Sequence, residues 1–297
     1  MVKMADSPGR RKALTLLFLQ KMGSRIAEYL PIDQGLWHKI DLLKALVQRD
    51  LEGKYRGSFL GNFWTILNQL AQLLIFTYVF SIILKVRLTT KGIHTNDSLS
   101  FGLWLFAGLL SWTAFSGGFL QAATSVVNQP NLVKKVVFPL GLLPLVPILT
   151  TFVESTFGLL TLLGFMLLLT GKIPLTIALL PLVWIPQLLI TAGFGYLAAG
   201  LTVFIRDIPQ TLGVLINLWF YVTPIVYPTE VIPEAWRNWV FWLNPLATIS
   251  TFYREAILDG KITHWRELGF TTCMATAIFI LGLWVYRRAR PAFADVL

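Results

Sequence analysis

Charged side chains are scarce in this sequence. Asp, Glu, Lys and Arg make up 13% of the 297 residues, hydrophobic residues make up 55%, and the mean hydropathy is +0.66. Soluble domains average about 25% charged residues, and a chain this apolar would expose large adhesive patches in water. The scarcity of charge excludes an ordinary soluble domain and predicts an integral membrane protein.

Cysteine and histidine are nearly absent. The only cysteine is Cys273, so no disulfide can form within one chain. The three histidines, His38, His94 and His264, lie far apart and form no His-x-x-x-His pair. We therefore predict no metal site and no cofactor on this chain.

Catalytic motifs are also missing. Gly171-Lys172 and Gly260-Lys261 lack the spacing and the following hydroxyl residue of a phosphate-binding Gly-x-x-x-x-Gly-Lys-Ser/Thr loop. There is no Gly-x-Ser-x-Gly or His-Glu-x-x-His sequence. The chain is therefore predicted to be a conduit that does not hydrolyse ATP. A membrane-embedded glycosyl- or acyltransferase is the less favoured alternative, because it would need clustered acids or a histidine at a membrane face.

Long apolar runs are what the sequence has instead. A membrane helix needs about 20 apolar residues, because its backbone groups must satisfy one another in hydrocarbon. The runs are Phe63–Leu84, Phe101–Val127, Leu140–Leu169, Ile173–Ile205, Leu212–Tyr227 and Leu268–Tyr286. They predict an all-α, polytopic membrane protein with six spans.

The basic residues indicate the orientation. With the N-terminus inside, 17 of the 25 Lys and Arg residues fall on the cytoplasmic side and 8 on the other, as the positive-inside rule requires. Both termini are therefore placed in the cytoplasm, and the net charge of +10 is attributed to these loops rather than to nucleic-acid binding. Residues 1–34 lack a signal-peptide cleavage site and are expected to form a basic cytoplasmic extension before a membrane domain at 35–297.

Two segments have an amphipathic pattern. Apolar residues recur every three or four positions at Leu36, Ile40, Leu43, Val47 and Leu51, which predicts a helix lying in the cytoplasmic interface. The second segment, Val231–Leu243, holds Trp236, Trp239 and Trp242, residues that favour the membrane–water boundary. Asn244-Pro245 interrupts it, and Ala247–Leu258 is predicted to form another short helix.

Polar and aromatic residues form stripes in two of the predicted spans. The first stripe contains Trp64, Asn68, Gln72, Phe76 and Phe80; the second contains Asn217, Phe220, Tyr221 and Tyr227. Residues four apart share a helix face, aromatic rings stack on sugar faces, and amides bond hydroxyl groups. We interpret the stripes as the lining of a carbohydrate pathway. The alternative is helix–helix packing strengthened by amide hydrogen bonds.

The loops on the cytoplasmic side contain candidate coupling residues. They are Asn131, Leu132, Lys134 and Lys135, within the segment Asn128–Pro139, and Arg206 with Asp207. A short helix in the first loop would fit a groove on a soluble partner; the alternatives are a plain basic loop and plain helix capping. Separately, Arg49, Lys54 and Arg56 form a basic group that would attract anions or simply anchor the chain. Glu154, inside a span, should face the protein interior and either find a partner or be protonated.

These features, taken in order, resemble a known family, the transmembrane subunit of type-2 ABC exporters for O-antigen, teichoic acid and capsular polysaccharide. The matching segments are Leu46-Val47-Gln48-Arg49-Asp50-Leu51, Lys54-Tyr55-Arg56-Gly57-Ser58, Leu60-Gly61, Asn131-Leu132-Val133-Lys134-Lys135-Val136, Phe138-Pro139, Phe204, Arg206-Asp207-Ile208, Phe220-Tyr221-Val222-Thr223-Pro224-Ile225, Tyr227-Pro228, Ile232-Pro233 and Asn244-Pro245-Leu246. They span about residues 40–290 and are more similar to the O-antigen and teichoic acid branch than to the capsule branch. The basic extension before Asp33 departs from the family pattern.

The resemblance implies partners and roles that spacing alone does not give. It implies a homodimer in the bacterial inner membrane that binds two ATPase subunits, which carry Mg-ATP, and exports a lipid-linked polysaccharide. It also implies that Asn128–Phe138 is the coupling helix, that the first and fifth spans line the channel, and that two short helices form a periplasmic gate with Trp236, Trp239, Asn244 and Pro245. The lipid diphosphate of such a substrate would enter beside the basic group Arg49, Lys54 and Arg56. A permease for a drug or a small lipid, and a purely structural scaffold, are the rival hypotheses.

Overall fold

The fold is built from helices. The structure, a computed structural model, describes residues 34–54, 58, 61, 63–83, 99–135 and 138–297, and no strand occurs in those residues. This confirms the all-α class. In chain order the helices are α1 Gln34–Lys54, α2 Phe63–Phe76, α3 Leu99–Thr124, α4 Pro130–Lys135, α5 Leu145–Thr170, α6 Leu180–Thr202, α7 Ile208–Val222, α8 Glu234–Leu243, α9 Pro245–Arg254, α10 Trp265–Ala289 and α11 Phe293–Val296.

Shorter turns extend several of these helices. A π-helical turn, Thr77–Ile83, follows α2, and another, Glu255–Asp259, follows α9. Turns of 3₁₀ helix, Leu140–Leu142 and Leu175–Leu179, precede α5 and α6, and a third, Arg290–Ala292, joins α10 to α11. Residues 46–297 form one compact unit and hold every predicted span; residues 1–45 belong to a second unit. The predicted extension lies outside the described residues, except for Gln34 at the start of α1.

Within the residues that the structure describes, five helical segments are long and apolar enough to cross a membrane. They are Phe63–Phe80, Phe101–Thr124, Leu140–Leu169, Leu175–Thr202 and Trp265–Val296. The predicted fifth span, Leu212–Tyr227, is not confirmed in that form, because the helix runs from Ile208 to Val222 and has 15 residues. Thr223 is extended, with φ −86° and ψ 134°, because the residue before a proline is driven out of the helical region.

Helix α3 lies at the centre of the fold. Its apolar residues are nearly all buried, and it packs against α2, α5, α6, α7 and α9. Phe115, which is fully buried, lies 5.3 Å from the ring of Trp219 on α7 and 6.4 Å from that of Phe194 on α6. An apolar helix surrounded by other helices buries all its faces, and α3 therefore has no amphipathic stripe.

The most extensive helix pair, α6 with α10, meets through glycine. A Cβ atom on Gly193 would lie 2.7 Å from the carbonyl oxygen of Ile278, and one on Gly282 would overlap the carbonyl oxygen of Gly193. The two backbones are therefore in direct contact, which small residues allow. On α6, Gly195 likewise faces Ile148 and Ala122.

Helix α9 is buried along its whole length, although it is short and partly polar. Its last residue, Arg254, is only 3% exposed. The guanidinium group donates to the carbonyl oxygens of Trp104 (3.2 Å), Pro224 (2.8 Å) and Ile225 (2.7 Å), and it lies 3.5 Å from the centre of the Trp104 ring. One side chain therefore joins α9 to α3 and to the segment after α7.

A second buried polar residue, Gln187 on α6, joins three helices. Its side-chain amide donates to the carbonyl oxygen of Ser111 on α3 at 3.0 Å, and its oxygen accepts from the hydroxyl of Tyr253 on α9 at 2.9 Å. Gln187 is fully buried, so both groups need these partners. The two bonds fix the depth of α9 between α3 and α6.

We predict that Gly282→Ala destabilises the fold by roughly 2 kcal/mol, since the added methyl group overlaps the α6 backbone. Thermal unfolding of the detergent-purified protein measures the effect. Gly269→Ala is the matched control: it lies on the same helix with no atom within 4 Å of its added Cβ, and it should be neutral or stabilising by up to about 1 kcal/mol. Equal behaviour of the two variants would contradict the proposed backbone contact.

We predict that Arg254→Met lowers the free energy of unfolding by roughly 3 kcal/mol or more, since each buried carbonyl group left without its donor costs about 1–3 kcal/mol. Arg254→Lys should recover part of the loss, because an ammonium group has donors but not the planar fork. Arg266→Met, at an exposed arginine, serves as the control in the same unfolding assay. A stable Arg254→Met protein would show that the three contacts contribute little.

Candidate functional site

The stripe predicted on the first span divides into an exposed end and a packed end. Trp64 and Asn68 are exposed and Gln72 is half-buried. Phe76 and Phe80 instead join a chain of rings that continues to Phe101 on α3, with centroid distances of 6.2 and 5.6 Å. The exposed half can face a pathway or a second copy, while the aromatic half packs α2 against the core.

The residues of the second predicted stripe also divide into exposed and packed side chains. Asn217 and Tyr221 are exposed, Tyr221 by 72%. Phe220 faces inward, with its ring 5.4 Å from that of Trp112 on α3. Tyr227 lies beyond the end of the helix, and its hydroxyl donates to the carbonyl oxygens of Tyr221 (3.1 Å) and Val222 (3.3 Å). Tyr227 therefore caps α7, and the four residues do not share one face.

The predicted gate residue Asn244 connects α7 with α9. Its side-chain oxygen accepts from the Trp219 indole N–H and from the Leu246 backbone N–H, both at 3.2 Å, and its amide donates to the Thr223 hydroxyl at 2.8 Å. Asn244 is thus the N-cap of α9 and also a bridge to α7. The adjoining Pro245 is the first residue of α9 and is buried.

The other two predicted gate residues, Trp236 and Trp239, are 65% and 60% exposed on α8. Trp242 on the same helix packs edge-on against Phe270 of α10, with ring centroids 4.5 Å apart. Helix α8 therefore presents an indole surface outward while one ring holds it to α10. This arrangement fits a helix at a membrane–water boundary.

A hydrogen-bonded cluster around the carboxylate of Glu255 fixes the connection from α9 to α10. Glu255 accepts from His264 Nδ1 at 2.6 Å, from the Thr263 hydroxyl, and from the Thr263 backbone N–H at 3.1 Å. Burial by itself raises the pKa of Glu255, but hydrogen bonds from His264 and Thr263 outweigh burial and hold that pKa below its ordinary value. His264 also stacks on Phe241 of α8, with ring centroids 5.1 Å apart, so the cluster joins α8, α9 and α10.

The predicted coupling residues lie at the other end of α3. Helix α4 begins at Pro130, with Asn131 and Lys134 exposed. Leu132 and Val133 are half-buried and pack against an apolar cluster of the protein itself. The side of α4 that carries Asn131 and Lys134 therefore faces solvent, and the side that carries Leu132 and Val133 packs against the protein. Arg206 and Asp207, in the turn before α7, are exposed.

Of the basic residues predicted at the lipid entry, one is exposed and one forms an ion pair. Arg49 is exposed on α1. The ammonium group of Lys54 lies 3.0 Å from both carboxylate oxygens of Glu154 on α5, so Glu154 has the partner that its position in a span requires. Arg56 lies outside the described residues.

Three buried polar residues were not selected from the sequence. Gln187 resembles an ordinary amide in an apolar run, and Arg254 was counted only among the basic residues on the non-cytoplasmic side. Gln69, next to the predicted stripe, has a buried side-chain oxygen close to Gly158. A polar residue inside a long apolar run is the only sequence signal for Gln187 and Gln69, and it does not reveal the partner.

Comparisons with known proteins agree with this architecture. The family model for ABC-2 type transporters matches residues 41–258. The O-antigen export system permease protein RfbA of Myxococcus xanthus is 29% identical over 86% of this chain and 94% of its own length. A protein of the same name from Klebsiella pneumoniae is 26% identical over 90% of this chain and 99% of its own length.

A more distant relative is the polysialic acid transport protein KpsM of Escherichia coli, which is 23% identical over 84% of this chain and 94% of its own length. All three relatives align with most of this chain. The region that the family model matches runs from α1 to the π-helical turn after α9. The family match covers well over half of the sequence. The chain therefore belongs to the ABC-2 type transporter family of membrane permeases.

Proposed function

We propose that this chain is the channel-forming subunit of an ATP-driven exporter of lipid-linked polysaccharide. The observation that carries the proposal is the nearly full-length similarity to two O-antigen export permeases and a polysialic acid transport protein. The polymer is accordingly an O-antigen or a similar glycan. The sequence contains no phosphate-binding loop, so the ATPase is a separate subunit that binds Mg-ATP.

The proposed complex is a homodimer bound to two ATPase subunits in the bacterial inner membrane. Both termini are on the cytoplasmic side, where the positive-inside rule puts them. The exposed faces of α2 and α7 support a second copy, because each face combines apolar residues with the polar residues Asn68, Asn217 and Tyr221. A face of mixed polarity suits a shared pathway better than contact with lipid alone.

Transport in this proposal follows rigid-body movement. ATP binding brings the two ATPase subunits together, and α4 with the Arg206–Asp207 turn transmits the movement to the helices. Helix α7 cannot move alone at its far end, because Asn244 ties it to α9 and Arg254 ties the following segment to both α9 and α3. The channel helix and the two short gate helices therefore respond together.

The glycan enters as a lipid diphosphate from the cytoplasmic leaflet. Arg49 is exposed and available to a phosphate group, whereas Lys54 is held by Glu154. A diphosphate at this position would compete with the Glu154 carboxylate for Lys54. Sugar rings then pass along the outward faces of α2 and α7, where Trp64 and Tyr221 offer aromatic surfaces.

We predict that Lys134→Glu weakens binding of the ATPase subunit about tenfold, the equivalent of ~1.4 kcal/mol, since it reverses an exposed charge on α4. The measurement is ATP hydrolysis and pull-down with the nucleotide-binding subunit that co-purifies with the wild-type chain. The purified chain alone should hydrolyse no ATP. Lys261→Glu, an exposed lysine after α9, is the control and should bind normally. A well-folded wild-type chain that captures no such subunit would overturn the proposed function.

We predict that Tyr221→Ala reduces glycan export about tenfold, the equivalent of ~1.4 kcal/mol, because it removes an exposed aromatic face on which a sugar ring can stack. Binding of the ATPase subunit should remain unchanged, since Tyr221 lies near the end of α7 that is joined to α9, away from α4. Leu215→Ala, which truncates an exposed residue on another face of α7, should leave export intact. Surface labelling of newly exported glycan measures the effect. Equal export by both variants would remove Tyr221 from the pathway.

A further inference from the structure

The C-terminal residues pack beneath the predicted coupling helix. Helix α11, Phe293–Val296, contacts α4, Pro130–Lys135. Phe293 is fully buried. The segment that follows α10 is therefore packed into the fold.

Phe293 is held by two other aromatic rings. Its ring lies 5.4 Å from that of Tyr286 on α10, at 73°, and 6.2 Å from that of Phe204 in the turn before α7. The backbone N–H of Leu297 donates to the Phe293 carbonyl oxygen at 3.1 Å, which closes the final turn. We call Tyr286, Phe293 and Leu297 the C-terminal clamp.

The clamp also holds the backbone that follows α4. The Tyr286 hydroxyl donates to the carbonyl oxygen of Leu140, and the Tyr196 hydroxyl on α6 donates to that of Gly141, each at 2.8 Å. Both carbonyl groups belong to the turn that leads into α5. The chain after α4 is therefore fixed to α6 and α10 by two hydrogen bonds.

The apolar side of α4 rests on the same cluster. Leu132, Val133 and Phe138 pack as half-buried residues against the cluster that contains Phe293, Tyr286 and Tyr196. A helix of six residues is too short to be stable without such support. Its position is thus set by the surface beneath it.

We infer that the C-terminal clamp is a positioning device for the partner-docking surface, and that Phe293 sets the orientation in which α4 presents Lys134 to the ATPase subunit. The inference rests on the proposed function, since it assumes that α4 binds that subunit. The clamp also gives movement of α4 a direct path to α10. No residue of the clamp needs to touch the ATPase subunit for this role.

The test is a titration of the ATPase subunit that co-purifies with the wild-type chain against full-length variants in lipid nanodiscs. With Phe293→Ala the half-saturating concentration should rise about tenfold while the maximal hydrolysis rate stays unchanged. A displaced docking helix weakens binding, whereas loss of folded chain would lower the plateau without moving the midpoint. Phe293→Leu restores much of the side-chain volume but not the ring contacts, and it should give an intermediate midpoint.

Phe252→Ala is the matched control. Phe252 is equally buried and contacts one ring, that of Trp265 at 5.8 Å, on α9 near the opposite end of α3. It should leave the midpoint unchanged. The inference would be overturned if the half-saturating concentration for Phe293→Ala equalled that of the wild-type chain. It would also be overturned if Phe252→Ala raised that concentration as much as Phe293→Ala does. If Phe293→Ala does not accumulate, a wild-type midpoint for Phe293→Leu overturns it instead.

These outcomes separate the inference from the proposed function. A wild-type chain that binds the ATPase subunit supports the exporter assignment whatever Phe293→Ala does. A wild-type chain that binds none removes the assignment and the inference together.

Discussion

The buried guanidinium group of Arg254 is the contact on which the arrangement of the helices most depends. A cation in an apolar interior is costly unless every donor has a partner, and here backbone carbonyl oxygens of α3 and of the segment after α7 accept from it. The side chain can be satisfied only when α9 lies at one depth beside α3. Gln187 imposes the same depth through its own pair of hydrogen bonds. Hydrophobic contacts alone would allow α9 to slide along its neighbours. The hydrogen bonds of Arg254 and Gln187 select one position of α9 relative to α3 and α6.

Two groups of contacts between helices lie near opposite ends of α3. Near the start of α3, Asn244 binds the short helices to the end of α7, Arg254 binds them to the segment after α7, and Glu255 binds them to the start of α10. Past its other end, α4 rests on the C-terminal clamp at the end of α10. Helix α10 therefore reaches both regions, and its direct backbone contact with α6 through Gly282 leaves little freedom between the two helices. Because α6 and α10 are tightly packed, they would move together as one rigid body. A movement at one end of this pair would therefore reach the other end.

Much of the fold could be predicted from the sequence, because lipid-length apolar runs have few alternatives to the helix. Five runs became candidate spans, and the motifs from Leu46 to Leu246 indicated the family that the comparisons confirm. The predicted bounds of the fifth span were wrong, because the apolar pattern continues past Thr223 whereas Pro224 ends the helix. The candidate site was predicted less well. Phe220 and Tyr227 belong to the same sequence stripe as Tyr221, yet one packs on α3 and the other caps α7.

By itself, the sequence determined that lipid is the solvent of the apolar surface, that the fold is all-α and that there is no phosphate-binding loop; the orientation in the membrane stays a prediction from the basic residues. These properties are sums over many residues or fixed local patterns, so they do not depend on which helix meets which. Only the tertiary structure decided the partners of single polar groups: Arg254 with three carbonyl oxygens, Lys54 with Glu154, and Asn244 with α7. Such pairs join residues up to 150 positions apart, and a side chain's chemistry names the kind of partner it needs but not where in the chain that partner lies.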